Sequence, residues 1–434
     1  MFKNQELQLN DYKKSYENIP VSLDSLDAAI MAGFQKAKKE ERKKKRSYKW
    51  VYSFVAAAVI LLGFFATIRV SPAFANAIAN LPGMEKIVEM VKFDKGKMSA
   101  VENDYYQKIG TSAEKNGMRV TIDGVIADES GMVVFYTLTP EQKKEYFDIQ
   151  AAKIISLEGK HLDPGTTGFG SPSNEEGMDR YTGELEFYFE NKIQGKKFQL
   201  DLSLEGEEFS IPFTLTKDIK VSQKYTINKT IEIEGQKLTV VSAEVSPLRT
   251  GVHVKMDPNN TKQILALEDL RIVDEKGETW GGINGGVTGS IISADEQIIY
   301  LQSNYFHKPE ELYVVINKLQ AVEKEDMTLV VDTEKLQILK QPPGNVLSSL
   351  KIEDNNLVFT MNVKKFHGDP FGEIKDVYGN VIETHGGFFR TSDEEGIKEF
   401  GIEMPDMKTV KGPITIELSA YPAWINGEAK VRIK

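Results

Sequence analysis

From Trp50 to Ile68 the chain reads WVYSFVAAAVILLGFFATI, nineteen consecutive residues without a charge. Coiled as a helix rising about 1.5 Å per residue, the segment is about 28 Å long, which matches the hydrocarbon thickness of a bilayer. Trp50 and Tyr52 stand at its start, where amphipathic rings favour the headgroup layer. On its N-terminal side crowd Lys36, Lys38, Lys39, Arg42, Lys43, Lys44, Lys45, Arg46 and Lys49, whereas Arg69 stands alone on the other side until Lys86. Cations are retained on the cytoplasmic side, so this pattern predicts a single-pass protein of type II topology in the cell membrane, with residues 1–49 inside and residues 70–434 outside the cell. Ala73-Phe74-Ala75 offers an A-x-A-like cleavage site. However, the span exceeds the roughly 7–15 apolar residues of a signal peptide and follows a long N-terminal region, so it reads as an anchor over 50–69.

Charge divides at the same place. Residues 1–49 hold 12 Lys/Arg against 7 Asp/Glu, a net of +5, so the total of −10 leaves −15 for the remainder. An acidic exterior disfavours nucleic acid as a partner. The chain has no cysteine, which removes disulfide frameworks, thiolate zinc sites and thiol nucleophiles together.

After the anchor comes SPAFANAIANLPGMEKIVEMVKF, in which Phe74, Ile78 and Leu81, then Met84, Ile87, Val88 and Val91, fall at helical spacing around Pro82-Gly83. Juxtamembrane helices are therefore expected over 70–100, packed as a hairpin on the domain that follows. Beyond about Val101 the period changes to two. Met118 to Ile122, Val133 to Tyr136, Leu185 to Phe189, Leu238 to Val241 and Ile414 to Leu418 are strand-like runs between Gly, Asp and Asn turns. A strand ending in a glycine turn recurs at IISLEGK (154–160), RIVDEKGE (271–278) and EIKDVYGN (373–380), which suggests three similar units. The expected fold class is mainly β, with one N-terminal transmembrane helix, a short helical stalk and about three antiparallel β-sandwich-like domains outside the cell. Their expected limits are 101–217, 218–341 and 342–434, with Gln341-Pro342-Pro343-Gly344 as the second linker.

No chemistry-bearing motif emerges. His161, His253, His307, His367 and His385 show no metal spacing, and His367 in Phe366-His367-Gly368-Asp369-Pro370 reads as a turn residue. The Gly281–Gly286 stretch lacks the lysine and helix of a phosphate loop, and Asp257-Pro258-Asn259-Asn260 lacks EF-hand spacing. The expectation is a protein that is not an enzyme, with no catalytic residue, cofactor or metal.

The candidate binding residues lie inside. Ser22 can cap a helix over 22–37, with Asp24 and Asp27 in its early turns and lysines at its end. Leu23, Leu26, Ile30 and Phe34 form one apolar stripe on it, and a helix of this length is marginal alone in water. The stripe therefore needs a partner, either protein or the bilayer itself.

Ile19-Pro20, Leu23-Asp24, Ile30, Gly33, the basic run, the apolar span and Ser71-Pro72-Ala73-Phe74-Ala75 with Leu81-Pro82-Gly83-Met84 resemble a family of single-pass membrane proteins of Gram-positive bacteria. That family is described as anti-sigma-factor-like, and a second extracellular domain similar to residues 220–335 often accompanies it. The resemblance implies a membrane-anchored signalling protein that holds a sigma factor through residues 20–37 while its exterior domains sense an envelope signal. Many anti-sigma factors carry a His/Cys zinc motif inside the cell, and this chain has neither residue before His161. The alternative is a cell-surface binding or structural protein whose inner segment sets topology alone. Protease added to intact, wall-stripped cells is expected to remove the β-rich region and leave a membrane-bound N-terminal fragment. Protection of most of the chain would contradict the topology.

Overall fold

The computed structural model describes residues 84–434 except 160, 284–287, 364–365, 367, 393–395 and 408–409. The amphipathic stripe Leu23, Leu26, Ile30 and Phe34, the Trp50–Ile68 span and His367 lie outside the described residues. Among the described residues no helix is long and apolar enough to cross a membrane.

The described chain is mainly β. It begins with two short helices, α1 (Glu85–Val91) and α2 (Lys95–Glu102), and continues in strands that pair antiparallel throughout their ladders. The helical spacing read across Met84 to Val91 corresponds to α1, which buries Ile87 and Val91. α2 has no apolar stripe to announce it. Asp94 starts it by accepting hydrogen bonds from the N–H groups of Gly96 at 2.8 Å and Lys97 at 3.0 Å, satisfying two of the orphan donors of the first turn.

Three hydrophobic cores follow, each between two sheets. In the first, strands Met118–Asp128, Gly131–Pro140 and Tyr181–Phe189 face strands Ile149–Ser156, Lys197–Leu204 and Glu207–Thr214. Alternation explains the arrangement: Phe198, Leu200, Leu202 and Leu204 point inward while the residues between them are half-exposed or exposed. The second core gathers Leu238, Val240, Val252, Val254, Ile272, Trp280 and Val314. The third gathers Leu329, Val331, Phe359, Phe366, Phe400, Ile414 and Ile416.

The recurring glycine turns occupy one position in each unit. The strands Ile149–Ser156, Leu270–Asp274 and Phe371–Lys375 precede Gly159, Gly277 and Gly379, whose φ angles of 75°, 83° and 84° are left-handed.

The boundary between the second and third units departs from the expected limit at 341–342. In the first unit Lys197–Leu204 and Glu207–Thr214 close as a hairpin about Gly206. The second unit has no such hairpin. Strand Leu312–Glu323 is followed by Thr328–Asp332, which crosses to pair with Pro413–Leu418 of the third unit. The final strand, Trp424–Arg432, returns to pair with Leu312–Glu323. The two units have thus exchanged their last strands. Gln341-Pro342-Pro343-Gly344 is a turn inside the third unit, between strands Gln337–Lys340 and Leu347–Glu353, and Ile425, Ala429 and Val431 belong to the second core. The prolines that read as a linker serve a turn because neither needs to donate to a ladder there.

Ending the chain at Ala423 therefore strips the second core rather than the third. Each of Ile425 and Val431 contributes about 1.5–3 kcal/mol of burial. Hydrogen exchange is expected to show lost protection in strand Gln236–Val245. Loss confined to the third unit would contradict the exchange.

Candidate functional site

The first described elements are helices α1 and α2, and the site is built around what holds them. α2 buries six of its eight residues, Gly96 to Val101, although its composition is mostly polar. On one side the Lys97 ammonium reaches strand Tyr181–Phe189 of the first unit and pairs with Glu184 Oε1 and Glu186 Oε1, each at 2.7 Å. Lys97 and Glu186 are nearly excluded from solvent, with side-chain exposures of 7% and 6%. Burial opposes the charged ammonium, but the two carboxylates outweigh it and hold the Lys97 pKa above its ordinary value. Burial raises the Glu184 and Asp94 carboxyls despite the neighbouring Lys97.

On its other side α2 meets the second unit. A Cβ on Gly96 would lie 2.5 Å from the Ser303 nitrogen, so only glycine lets the helix backbone approach this loop. Gln302 Nε2 donates to the Phe93 carbonyl at 3.1 Å, and Lys95 Nζ donates to the Thr279 carbonyl at 2.8 Å. His307 stacks edge-on against Trp280 at 5.2 Å and stands 3.5 Å from the Ser99 hydroxyl. Just after the helix, the Tyr105 hydroxyl donates to the Ala127 carbonyl at 2.6 Å and accepts from the Lys220 N–H at 3.0 Å. Its ring packs on Phe306 at 5.4 Å. The helix is thus a wedge between the first and second units.

A second contact joins those units directly. The Arg249 guanidinium lies between the rings of Tyr188 and Tyr300, 3.5 Å from each centroid. A planar, weakly hydrated cation suits this sandwich as a lysine would not. Beside it Asp128 is fully buried and accepts from Leu248 N at 2.9 Å, Ser130 N at 2.8 Å and Ser130 Oγ at 2.7 Å. Burial raises the Asp128 carboxyl in spite of these donors.

None of these residues was singled out by the sequence pattern. Glu184 and Glu186 carried a signal, two acids at i and i+2 on a strand that also presents Tyr188 to that face. Lys97 carried none. The predicted binding stripe of Leu23, Leu26, Ile30 and Phe34 lies outside the described residues. His253 pairs with Glu296 at 2.8 Å, and Asp257 and Asn260 make turn contacts to Asn259 N at 2.9 Å and Lys237 N at 2.7 Å.

Two family models match parts of the chain. Residues 43–139 match a domain of unknown function (DUF4179), which runs from the basic stretch through the apolar span and both helices to the third strand of the first unit. Residues 222–354 match a family of unknown function (DUF5643), which begins at the second unit. No curated protein matches. Among solved structures, the crystal structure of the conserved domain protein from Bacillus anthracis is 19% identical, with a TM-score of 0.38 over 54% of this chain and 84% of that one.

Replacing Lys97 by Met takes the buried ammonium away from the Glu184 and Glu186 carboxylates, and breaking a buried ion pair of this kind costs about 3–5 kcal/mol. The sign of the pH dependence follows from the carboxyls. Burial already raises the Glu184 carboxyl, and without Lys97 it rises further, so the penalty is full at neutral pH. It fades as pH falls from that raised value to the ordinary glutamate value, below which the carboxyl is protonated in both states. Denaturant titrations of Lys97→Met across pH check this, with restored neutral stability expected for Lys97→Met combined with Glu184→Gln and Glu186→Gln. A pH-independent deficit would contradict the assignment.

Proposed function

We propose that this chain is a membrane-anchored regulatory protein of anti-sigma type, without catalytic activity. In this reading residues 1–49 lie in the cytoplasm, residues 50–69 cross the membrane, and the β-rich region senses or binds an envelope signal outside. The helix over 22–37 holds a sigma factor through Leu23, Leu26, Ile30 and Phe34.

One observation carries the proposal. At the start of the described residues α2 is no free stalk: it is clamped between two β-units by a buried ammonium on one side and close backbone packing on the other. A surface protein that needed only tethering could hang from a flexible linker, because Gly- and Ser-rich segments give reach at little energetic cost. A sensor needs the opposite. Force or displacement at its binding domains must reach the membrane segment, and a clamped helix provides that path through a packed element.

On the cytoplasmic side the physics is that of a helix in a groove. Each of Leu26 and Ile30 would contribute about 1.5–3 kcal/mol on burial, offset in part by ordering a segment that is marginal alone. Leu26→Asp or Ile30→Asp places an unpaired carboxylate in that groove and is expected to abolish association. The check is co-purification of the full-length protein, extracted in detergent, with the extracytoplasmic-function sigma factors of its host. Retention of a sigma factor by the native chain and its loss from Ile30→Asp is the expected outcome. Failure of any sigma factor to bind, or equal retention by Ile30→Asp, would overturn the anti-sigma reading.

A further inference from the structure

The third unit holds a cation whose placement differs from that of its neighbours. One of its sheets runs in the order Leu347–Glu353, Asn356–Asn362, Ile397–Glu403, Gly386–Ser392, which leaves the last as an edge strand. Cross-strand partners share a face. Arg390 opposes Glu399 on the outer face, while Phe389 opposes Phe400 and Thr391 opposes Lys398 on the inner face. The outer cations are both neutralised. Lys351 lies 3.1 Å from Glu353 and 2.9 Å from Glu399, and Arg390 lies 2.8 Å from Glu353. Lys398 is only 7% exposed, yet among the described residues it has neither an ion pair nor a hydrogen bond. Its ammonium lies 5.2 Å from the centroid of the Phe389 ring, a cation–π contact that leaves its N–H donors for another group.

Lys398 also lines a groove of about 560 Å³, together with Phe366, Phe389, Phe400, Asp369 and Gly387. The rings form a continuous wall: Phe400 lies 6.1 Å from Phe366 and 5.1 Å from Phe389. Phe389 is 54% exposed, so its ring leaves this wall open to solvent. The volume suits a small molecule, and an apolar wall with few polar groups is the usual composition of such sites.

We infer that this groove binds a small amphiphilic carboxylate, its apolar body against Phe366, Phe389 and Phe400 and its carboxylate on the Lys398 ammonium. A single cation matches a singly charged head. Asp369 at the groove disfavours phosphates and other multiply charged anions, and the lining lacks the dense set of donors and acceptors that a sugar requires. The inference deepens the proposed function by naming a class of signal molecule, and it rests on that reading only in placing the groove outside the cell.

The test uses the full-length chain in lipid nanodiscs, with octanoate as the probe and octanamide and acetate as its neutral and truncated counterparts. Binding is read by saturation-transfer NMR and calorimetric titration against empty nanodiscs. Octanoate is expected to bind at least tenfold more tightly than octanamide, and acetate not to saturate. Lys398→Met should reduce that preference to less than twofold, while Lys398→Arg should retain it. Phe389→Ser, at a half-exposed position the fold tolerates, should weaken octanoate at least fivefold. Equal affinity for octanoate and octanamide, a preference that survives in Lys398→Met, or no saturable binding above empty nanodiscs would each overturn the inference. Ile30→Asp is expected to bind octanoate as the native chain does, so loss of the sigma-factor reading and loss of the groove are separate results.

Discussion

A lysine ammonium with almost no access to water fixes the placement of the first described helices on the β-units. Lys97 can remain charged there only because Glu184 and Glu186 close on it from one strand face, and removing either party leaves an expensive buried charge. The pair is weak evidence of net stability, since three well-packed apolar side chains could do as well. Its effect is positional. An apolar contact tolerates sliding, whereas two 2.7 Å charge-assisted bonds accept one placement of α2 on strand Tyr181–Phe189. With that placement set, Gly96 meets Ser303, Lys95 reaches Thr279 and Tyr105 reaches Ala127.

What the wedge joins is itself resistant to separation. Arg249 between Tyr188 and Tyr300 holds the first unit to the second. The exchanged strands Thr328–Asp332 and Trp424–Arg432 hold the second to the third, because parting those two units would break whole ladders rather than side-chain contacts. A ligand in the third unit would therefore act on a chain of firmly joined bodies that ends at α2.

Much of this was legible in the sequence, and what was not has identifiable causes. Alternation gave the β class because side chains of strands such as Lys197–Leu204 obey a strict period of two. The glycine turns marked three units because only a residue free of Cβ strain takes a φ near 80° at Gly277 and Gly379 cheaply. The strand exchange was hidden. Thr328–Asp332 and Trp424–Arg432 are both ordinary alternating segments, and which partner each chooses depends on contacts made more than eighty residues away. The wedge was hidden too, since α2 is polar and glycine-bearing and is buried by ion pairs rather than by an apolar stripe. The Lys398 groove left no pattern, because a lysine alternating with glutamate and phenylalanine reads as a solvated face until its cross-strand neighbours are known. The partner-binding stripe at Leu23, Leu26, Ile30 and Phe34 remains a reading of helical spacing, as it lies outside the described residues.

The central claim is that helix α2 is an integral part of the β-region. Native-state hydrogen exchange of the full-length protein measures this most directly, by comparing the Ala100 and Val101 amides of α2 with the Leu185 and Phe187 amides of the strand beneath it. An isolated helix of eight residues would open freely. A clamped one opens only with its neighbours, so protection within about tenfold of the strand is the predicted result. Amides in α2 that exchange as in an unstructured peptide, while the strand stays protected, would contradict the account.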